Sequence, residues 1–377
     1  MKRSVIAILA LALSLGSCND APKKEKKSSA ENNNWEMTVR GKQTNLFTLK
    51  NKNGIETTIT NYGGKIVTLM VPDKDGKMED IVLGYDNIES TIAPKGNLYF
   101  GALIGRYGNR IAKGKFSIDG QEYTLATNNG VNALHGGLIG YNDVVFDAKQ
   151  EGNKLVLKHT DPDMHEGYPG NLDVTVTYEL TEANELKITY DAETDKPTIV
   201  NLTSHSFFNL HGAGNGTIND HVLMINADRY TPIDNTLIPT GELAEVKGTP
   251  FDFTVAKEIG KEVNADDQIL KNGNGYDHNF VLNGENGVMK LAAKVVEPKS
   301  GRVMEIFTTE PGLQFYGGNF LDGSDVGKGG KKYEFRTAFC LETQHYPDSP
   351  NQKDFPTTIL RPGDKYHTET IHKFSVE

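Results

Sequence analysis

The feature that most constrains this chain is the alternation of apolar and polar residues in short runs separated by turn residues. In residues 173–180 (DVTVTYEL), Val174, Val176, Tyr178 and Leu180 fall on one face, and Thr175, Thr177 and Glu179 fall on the other. A period of two marks a half-buried strand, because successive side chains in extended backbone point to opposite faces. After a turn at residues 181–184, Leu186, Ile188 and Tyr190 resume the pattern. Upstream, KFSI and QEYTL flank Asp119 and Gly120, a pair suited to a tight hairpin. Glycine occurs 39 times and punctuates the runs, and only residues 254–271 (TVAKEIGKEVNADDQILK) offer helix-like spacing of any length. The chain therefore reads as all-β: a large antiparallel β-sandwich with a few short helices.

The N-terminus reads differently. Lys2 and Arg3 precede an apolar run over residues 5–15, broken only by Ser14, and then come Gly16, Ser17 and Cys18. This is the pattern of a secretory signal, too short to span a bilayer. The tetrapeptide LGSC at 15–18 resembles a bacterial lipobox, in which Cys18 is acylated and becomes the mature N-terminus. Residues 19–34 contain no large apolar side chain, so they cannot bury enough surface to offset the entropy of ordering and read as a flexible tether. The expected organisation is a lipoprotein signal peptide over 1–17, lipidated Cys18 and tether over 18–34, and one domain over 35–377. The expected location is the cell envelope, with a lipid anchor in the membrane. Cys18 and Cys340 give no disulfide framework. A net charge of −10 argues against a nucleic-acid partner, and no protein partner is expected.

Five segments are polar where a strand core would be apolar: GRYGNR at 105–110, NALHGG at 132–137, NLTSHSFFNL at 201–210, GYDHNF at 275–280 and LETQHYPDSPN at 341–351. Singly, each reads as ordinary structure, such as a core histidine or a turn aspartate. Together they suggest convergence on a polar pocket. Alternation over 338–345 puts Ala338, Cys340, Glu342 and Gln344 on one face, and a carboxylate beside a small residue and a glutamine suits a pocket better than a packed core.

These motifs, with NRIAKG at 109–114, PTG at 239–241 and PGxQFY at 311–316, resemble the aldose 1-epimerase (galactose mutarotase) family in order and spacing, from about Trp35 to the end. The resemblance implies the galactose mutarotase-like sandwich and an enzyme that interconverts the α and β anomers of free aldoses. It implies a catalytic base at Glu342 and a catalytic acid at His205. Arg110, His135 and Asp277 match residues that hold sugar hydroxyls, and Asn109 and Gln314 match lesser contacts. Where the family commonly has Tyr, this chain has Phe207, which keeps an apolar platform and loses a phenol.

Anomer exchange needs one base and one acid, and no metal, nucleotide or redox group. An imidazolium at His205 near neutrality is expected, on an unperturbed value of about 6.5 with carboxylates nearby. His278 and His345 read as supporting or core groups. His159, His165, His211, His221, His367 and His372 lack the close spacing of a zinc site, although His165 and Glu166 read as lining the cleft mouth. Cys340 reads as a small buried hydrophobe. The acidic loops at 161–163 and 143–147 carry oxygen ligands of the kind calcium uses, yet read as solvated surface. Two alternatives stand beside the mutarotase: a non-catalytic carbohydrate-binding protein on the same fold, which would need no acid and base together, and an epimerase of phosphorylated hexoses. The second needs a cationic cluster, for which the motifs supply only Arg106 and Arg110.

Overall fold

The computed structural model describes residues 33–96 and 99–377. The leader, Cys18 and the tether as far as residue 32 lie outside the described residues. Asn33–Trp35 forms one 3-10 turn, and Trp35 is already buried.

The alternating segments assemble as read. Leu172–Leu180 pairs antiparallel with Glu185–Thr194, and Lys115–Ile118 pairs with Gln121–Thr124 around Asp119 and Gly120. Both turn residues have positive φ, the conformation a two-residue hairpin loop requires. Among the described residues the largest sheet has nine antiparallel strands. Its central strands include Leu172–Leu180, Glu185–Thr194, Tyr366–Val376 and Arg302–Thr308. A four-stranded sheet runs from Leu46–Lys50 to Met78–Asp80. A five-stranded sheet contains Asp277–Val281, Gly312–Tyr316 and Cys340–Gln344 side by side. One continuous core joins side chains from all three, among them Val174, Tyr178, Leu69, Phe280, Leu313 and Leu341. That is the sandwich.

Helices are fewer than the spacing at 254–271 offered. Only Gln268–Asn272 is α-helical there, capped by the Asp267 side chain on the Leu270 N–H at 2.9 Å. Ahead of it lie a two-residue strand, Lys257–Glu258, and a 3-10 turn, Ile259–Lys261. Tertiary pairing of Lys257–Glu258 with Val222–Ile225 overrides the local preference. A second short helix, Ile88–Ile92, starts at Asn87, whose side chain accepts from the Ser90 N–H.

Candidate active site

Register in the five-stranded sheet builds half of the site. Glu342 lies opposite Gln314, Gln314 opposite Asn279, and Asp277 opposite Tyr316, which in turn faces Cys340. Directly paired residues project to the same face of a sheet, so Asp277, Gln314, Tyr316, Cys340 and Glu342 share one face. The alternate residues Phe280, Leu313, Phe315 and Leu341 fill the core on the other.

Loops and two-stranded pairs supply the other half. Thr203–His205 pairs with Ala102–Ile104 and ends on His205. Arg110 pairs with Leu134, which brings the next residue, His135, against Asn109. The Asn109 N–H donates to His135 Nδ1 at 3.1 Å. Gly136, at φ +89°, lets this loop pass the Gly105 segment, because a Cβ there would stand 2.0 Å from the Gly105 carbonyl oxygen.

Asn109, Arg110, His135, His205, Phe207, Asp277 and Glu342 line one cleft of about 510 Å³. Gln314 stands between Asn279 and Glu342 on the same sheet face, and its amide donates to Asp277 Oδ1 at 2.7 Å. Arg110 Nη1 lies 3.9 Å from the other Asp277 oxygen, and its Nε donates to Asn129 Oδ1 at 3.0 Å. At the floor, His205 Nε2 stands 3.5 Å from Glu342 Oε1, with both side chains almost wholly buried. The imidazole of His205 is stacked between two aromatic rings, Phe207 at 4.9 Å and Tyr99 at 5.7 Å. Cys340 Sγ sits 3.4 Å from His205 Nδ1, and burial pushes its thiol well above the usual value.

Sequence reading missed Tyr99, Tyr316 and Phe320 on the cleft wall. Tyr316 closes the PGxQFY motif and its alternation with Gln314 could have flagged it, whereas nothing local marks Tyr99.

The charge state of His205 departs from expectation. Burial, aided by the Arg110 guanidinium and opposed by its own backbone carbonyl, lowers His205 to about 3. Burial, with the Asp277 charge, raises Glu342 well above the carboxylate range, and Arg110 only partly opposes this. A resting imidazolium was read from nearby carboxylates, but desolvation outweighs them here. Burial first, then His205 and Arg110, also hold His135 well below its ordinary value. Its proton belongs on Nε2, because Nδ1 accepts from Asn109.

Other side chains singled out in the sequence sit outside the cleft, and His278 and His345 are the supporting groups they read as. Arg106 never reaches the cleft: it is fully buried beneath, on Asp161. His165 turns to Asp161 at 2.7 Å, and Glu166 accepts from the Leu138 N–H at 2.7 Å, so neither lines the cleft mouth. His278 is buried with Nδ1 on the Asp277 N–H, and His345 pairs with buried Glu310. The acidic loops are occupied by cations of the chain: Asp163 by Lys196, Asp143 by Arg40, Asp147 by Lys42.

Among the described residues, ligand atoms gather within 4.8 Å in two places, His135 with His205 and Glu342, and His211 with Asp220 and His221, the latter unanticipated from spacing. Neither donor set suits a metal. A ligating nitrogen needs a free lone pair, yet His135 Nδ1 is taken by Asn109 and His221 Nε2 accepts the Leu210 N–H at 3.0 Å. The proton is thereby placed on the nitrogen that would have to ligate.

Fold and cleft together place a buried imidazole–carboxylate pair on the polar face of an antiparallel sandwich. The chain belongs to the aldose 1-epimerase family, whose model matches residues 45–373. It is 47% identical over 322 residues to galactose mutarotase from Homo sapiens, covering 85% of this chain and 92% of that one. Identity to aldose 1-epimerase from Escherichia coli (strain K12) is 38% over 340 residues, with coverage of 89% and 97%. Among solved structures, the GalM/aldose epimerase homologue from C. elegans superposes with a TM-score of 0.81 at 31% identity, covering 88% and 99%. Galactose 1-epimerase from Lactobacillus acidophilus NCFM gives 0.78 at 30% identity, covering 90% and 97%.

Proposed function

We propose that the protein interconverts the α and β anomers of free aldoses, galactose and glucose foremost, with His205 and Glu342 as its proton carriers. The observation that carries this is the buried pair itself, 3.5 Å apart at the floor of a cleft ringed by hydroxyl-binding groups. Glu342 takes the O1 proton as the C1–O5 bond breaks, and His205 Nε2 gives its proton to O5. The open aldehyde turns about C1–C2. His205 then recovers the proton from O5 as O5 attacks the other face of C1, and Glu342 returns the first proton to O1. Arg110, His135 and Asp277 hold the remaining hydroxyls, with Asn109 and Gln314 supporting through His135 and Asp277, and Phe207 backs the His205 ring. The chemistry calls for no metal or cofactor.

The opposed shifts at His205 and Glu342 fit this cycle as a pair that holds one proton. A carboxylic acid facing a neutral imidazole and a carboxylate facing an imidazolium contain the same proton, so the reactive form arises by transfer within the pair. His205 takes a second proton only near pH 3, and the raised Glu342 value delays loss of the first. We expect kcat/KM, followed by polarimetry on fresh α-D-galactose and α-D-glucose, to show no loss as the pH falls from 7 to 5 and to fall as the pH rises through the raised Glu342 value. A fall centred near pH 6.5 as the pH rises would mean an ordinary imidazolium that loses its own proton, and would overturn the shared-proton account. No acceleration on either sugar would remove the activity and leave carbohydrate binding, for which the buried pair has no use. A phosphorylated hexose is a poor fit, because of the two arginines only Arg110 lines the cleft.

We further infer that residues 35–377 fold as one unit, tethered to the cell envelope through acylated Cys18. The leader residues 2–17 and the LGSC tetrapeptide support that reading. Labelled fatty acid is expected on the full-length protein expressed in bacteria and absent from Cys18→Ser; equal labelling of both would refute it.

A further inference from the structure

His205 and Glu342 face each other from different sheets. Thr203–His205 pairs with Ala102–Ile104, and Cys340–Gln344 pairs with Gly312–Tyr316. Among the described residues no strand ladder joins the two, so the 3.5 Å between imidazole and carboxylate is set by something else. We propose that Glu310 and His345 are positioning residues for this pair: with Asn201 and Tyr366 they close a ring of side chains that fixes how far His205 stands from Glu342. This rests on the anomer-exchange reading above.

The two segments pass each other antiparallel and are tied at both ends. At one end the Phe208 N–H donates to the Phe339 carbonyl at 2.7 Å, and the Phe339 N–H returns to the Phe208 carbonyl at 2.9 Å. His205 lies three residues before Phe208, and Glu342 three after Phe339. At the other end the tie is a side chain. The Asn201 carboxamide accepts from the His345 N–H at 2.9 Å and donates to the His345 carbonyl at 3.2 Å.

Glu310 braces that second tie from both sides. One carboxylate oxygen stands 2.7 Å from His345 Nδ1. The other accepts from the Tyr366 hydroxyl at 3.2 Å, and the same hydroxyl accepts from the Leu202 N–H at 3.1 Å. The circuit thus runs from Glu310 through His345 and Asn201 to Leu202, and back through Tyr366. It passes through the segment that carries Glu342 and the segment that carries His205. Glu310 is almost wholly buried. Burial pulls His345 down, yet the charge and hydrogen bond of Glu310 outweigh it and the net shift is upward. A buried ion pair adds little net stability over an apolar replacement. What it supplies is fixed geometry, and here it does so where the two segments meet. Displacing a reacting group by about 1 Å can cost about 10²-fold in rate, so the ring governs turnover without touching the sugar.

The test separates positioning from stability. Polarimetry on fresh α-D-galactose and α-D-glucose gives KM, and kcat per folded enzyme, with the folded fraction read by near-ultraviolet circular dichroism. The variants are Glu310→Gln, Tyr366→Phe, His345→Asn, and Glu310→Gln combined with His345→Asn. Each single variant should lower kcat by about 10–10², with KM within about twofold of the parent. The double variant should return kcat to within about threefold of the parent, because two carboxamides can bond to each other where the ions did. Tyr366→Phe removes a hydroxyl and no charge, so it decides the matter if Glu310→Gln does not fold. Unchanged kcat per folded enzyme in Tyr366→Phe overturns the ring, and so do losses that multiply in the double variant. A rise in KM that accounts for the whole loss also overturns it, since the ring would then support sugar binding instead. A parent that accelerates neither sugar removes the anomer-exchange reading on which the ring rests.

Discussion

Glu342→Gln is expected to lower kcat for anomer exchange by about 10²–10⁴ with little change in KM, and His205→Asn to do the same. Glutamine keeps the shape of the carboxylate and can still hydrogen bond, but it cannot take the O1 proton. The groups proposed to hold the sugar, Arg110, His135 and Asp277, are supported independently, by Asn129, Asn109 and Gln314, so binding should survive. If both residues serve one proton circuit as proposed, the double variant should be little worse than the worse single variant, as for other residues that act as a unit. Losses that instead multiplied would mean two independent roles. If Glu342→Gln stayed within threefold of the parent in the polarimeter, the carboxylate would not be the base.

Much of this architecture was legible because its signals are local. Alternation in DVTVTYEL is dictated by pleat geometry, and the hairpin at Asp119 and Gly120 by the positive φ its loop requires. Glu342 and Cys340 were placed on one face by counting, and the structure brings both against His205. What stayed hidden depends on contacts far apart in sequence. The helix-like spacing of 254–271 gives way to a strand because Val222–Ile225 offers Lys257–Glu258 a pairing partner. Tyr99 meets His205 across more than a hundred residues, with no pattern to announce it. Charge misled for the same reason. Glu342 and Asp277, carboxylates that the family resemblance places near His205, suggested an imidazolium, while the burial that opposes it appears only when strands, loops and aromatic rings have closed around the ring.

Arg106 carries the largest expected stability effect. In sequence it stands four residues from Arg110. In the fold it is fully buried, with Nε on Asp161 Oδ2 at 2.8 Å and Nη1 on the Pro169 and Gly170 carbonyls at 2.8 and 3.0 Å. Its Nη2 donates to the Asp161 carbonyl at 3.1 Å, and Tyr141 donates to the same Asp161 carboxylate at 3.2 Å. The guanidinium thus ties the segment that leads into Asn109 and Arg110 to the 161–170 loop. Removing one member of a buried pair leaves the other charged without compensation, at a cost of about 3–5 kcal/mol. Arg106→Met should therefore lower stability in urea by about that amount. Arg106→Met with Asp161→Leu should recover part of the loss, since the abandoned carboxylate is the main penalty. Recovery would be incomplete, because His165 and Tyr141 also bond Asp161 and the carbonyls at 169 and 170 stay without their donor. A single variant within 1 kcal/mol of the parent would show that water reaches and solvates Asp161, and the buried tie would not be what holds the Arg110 segment in place.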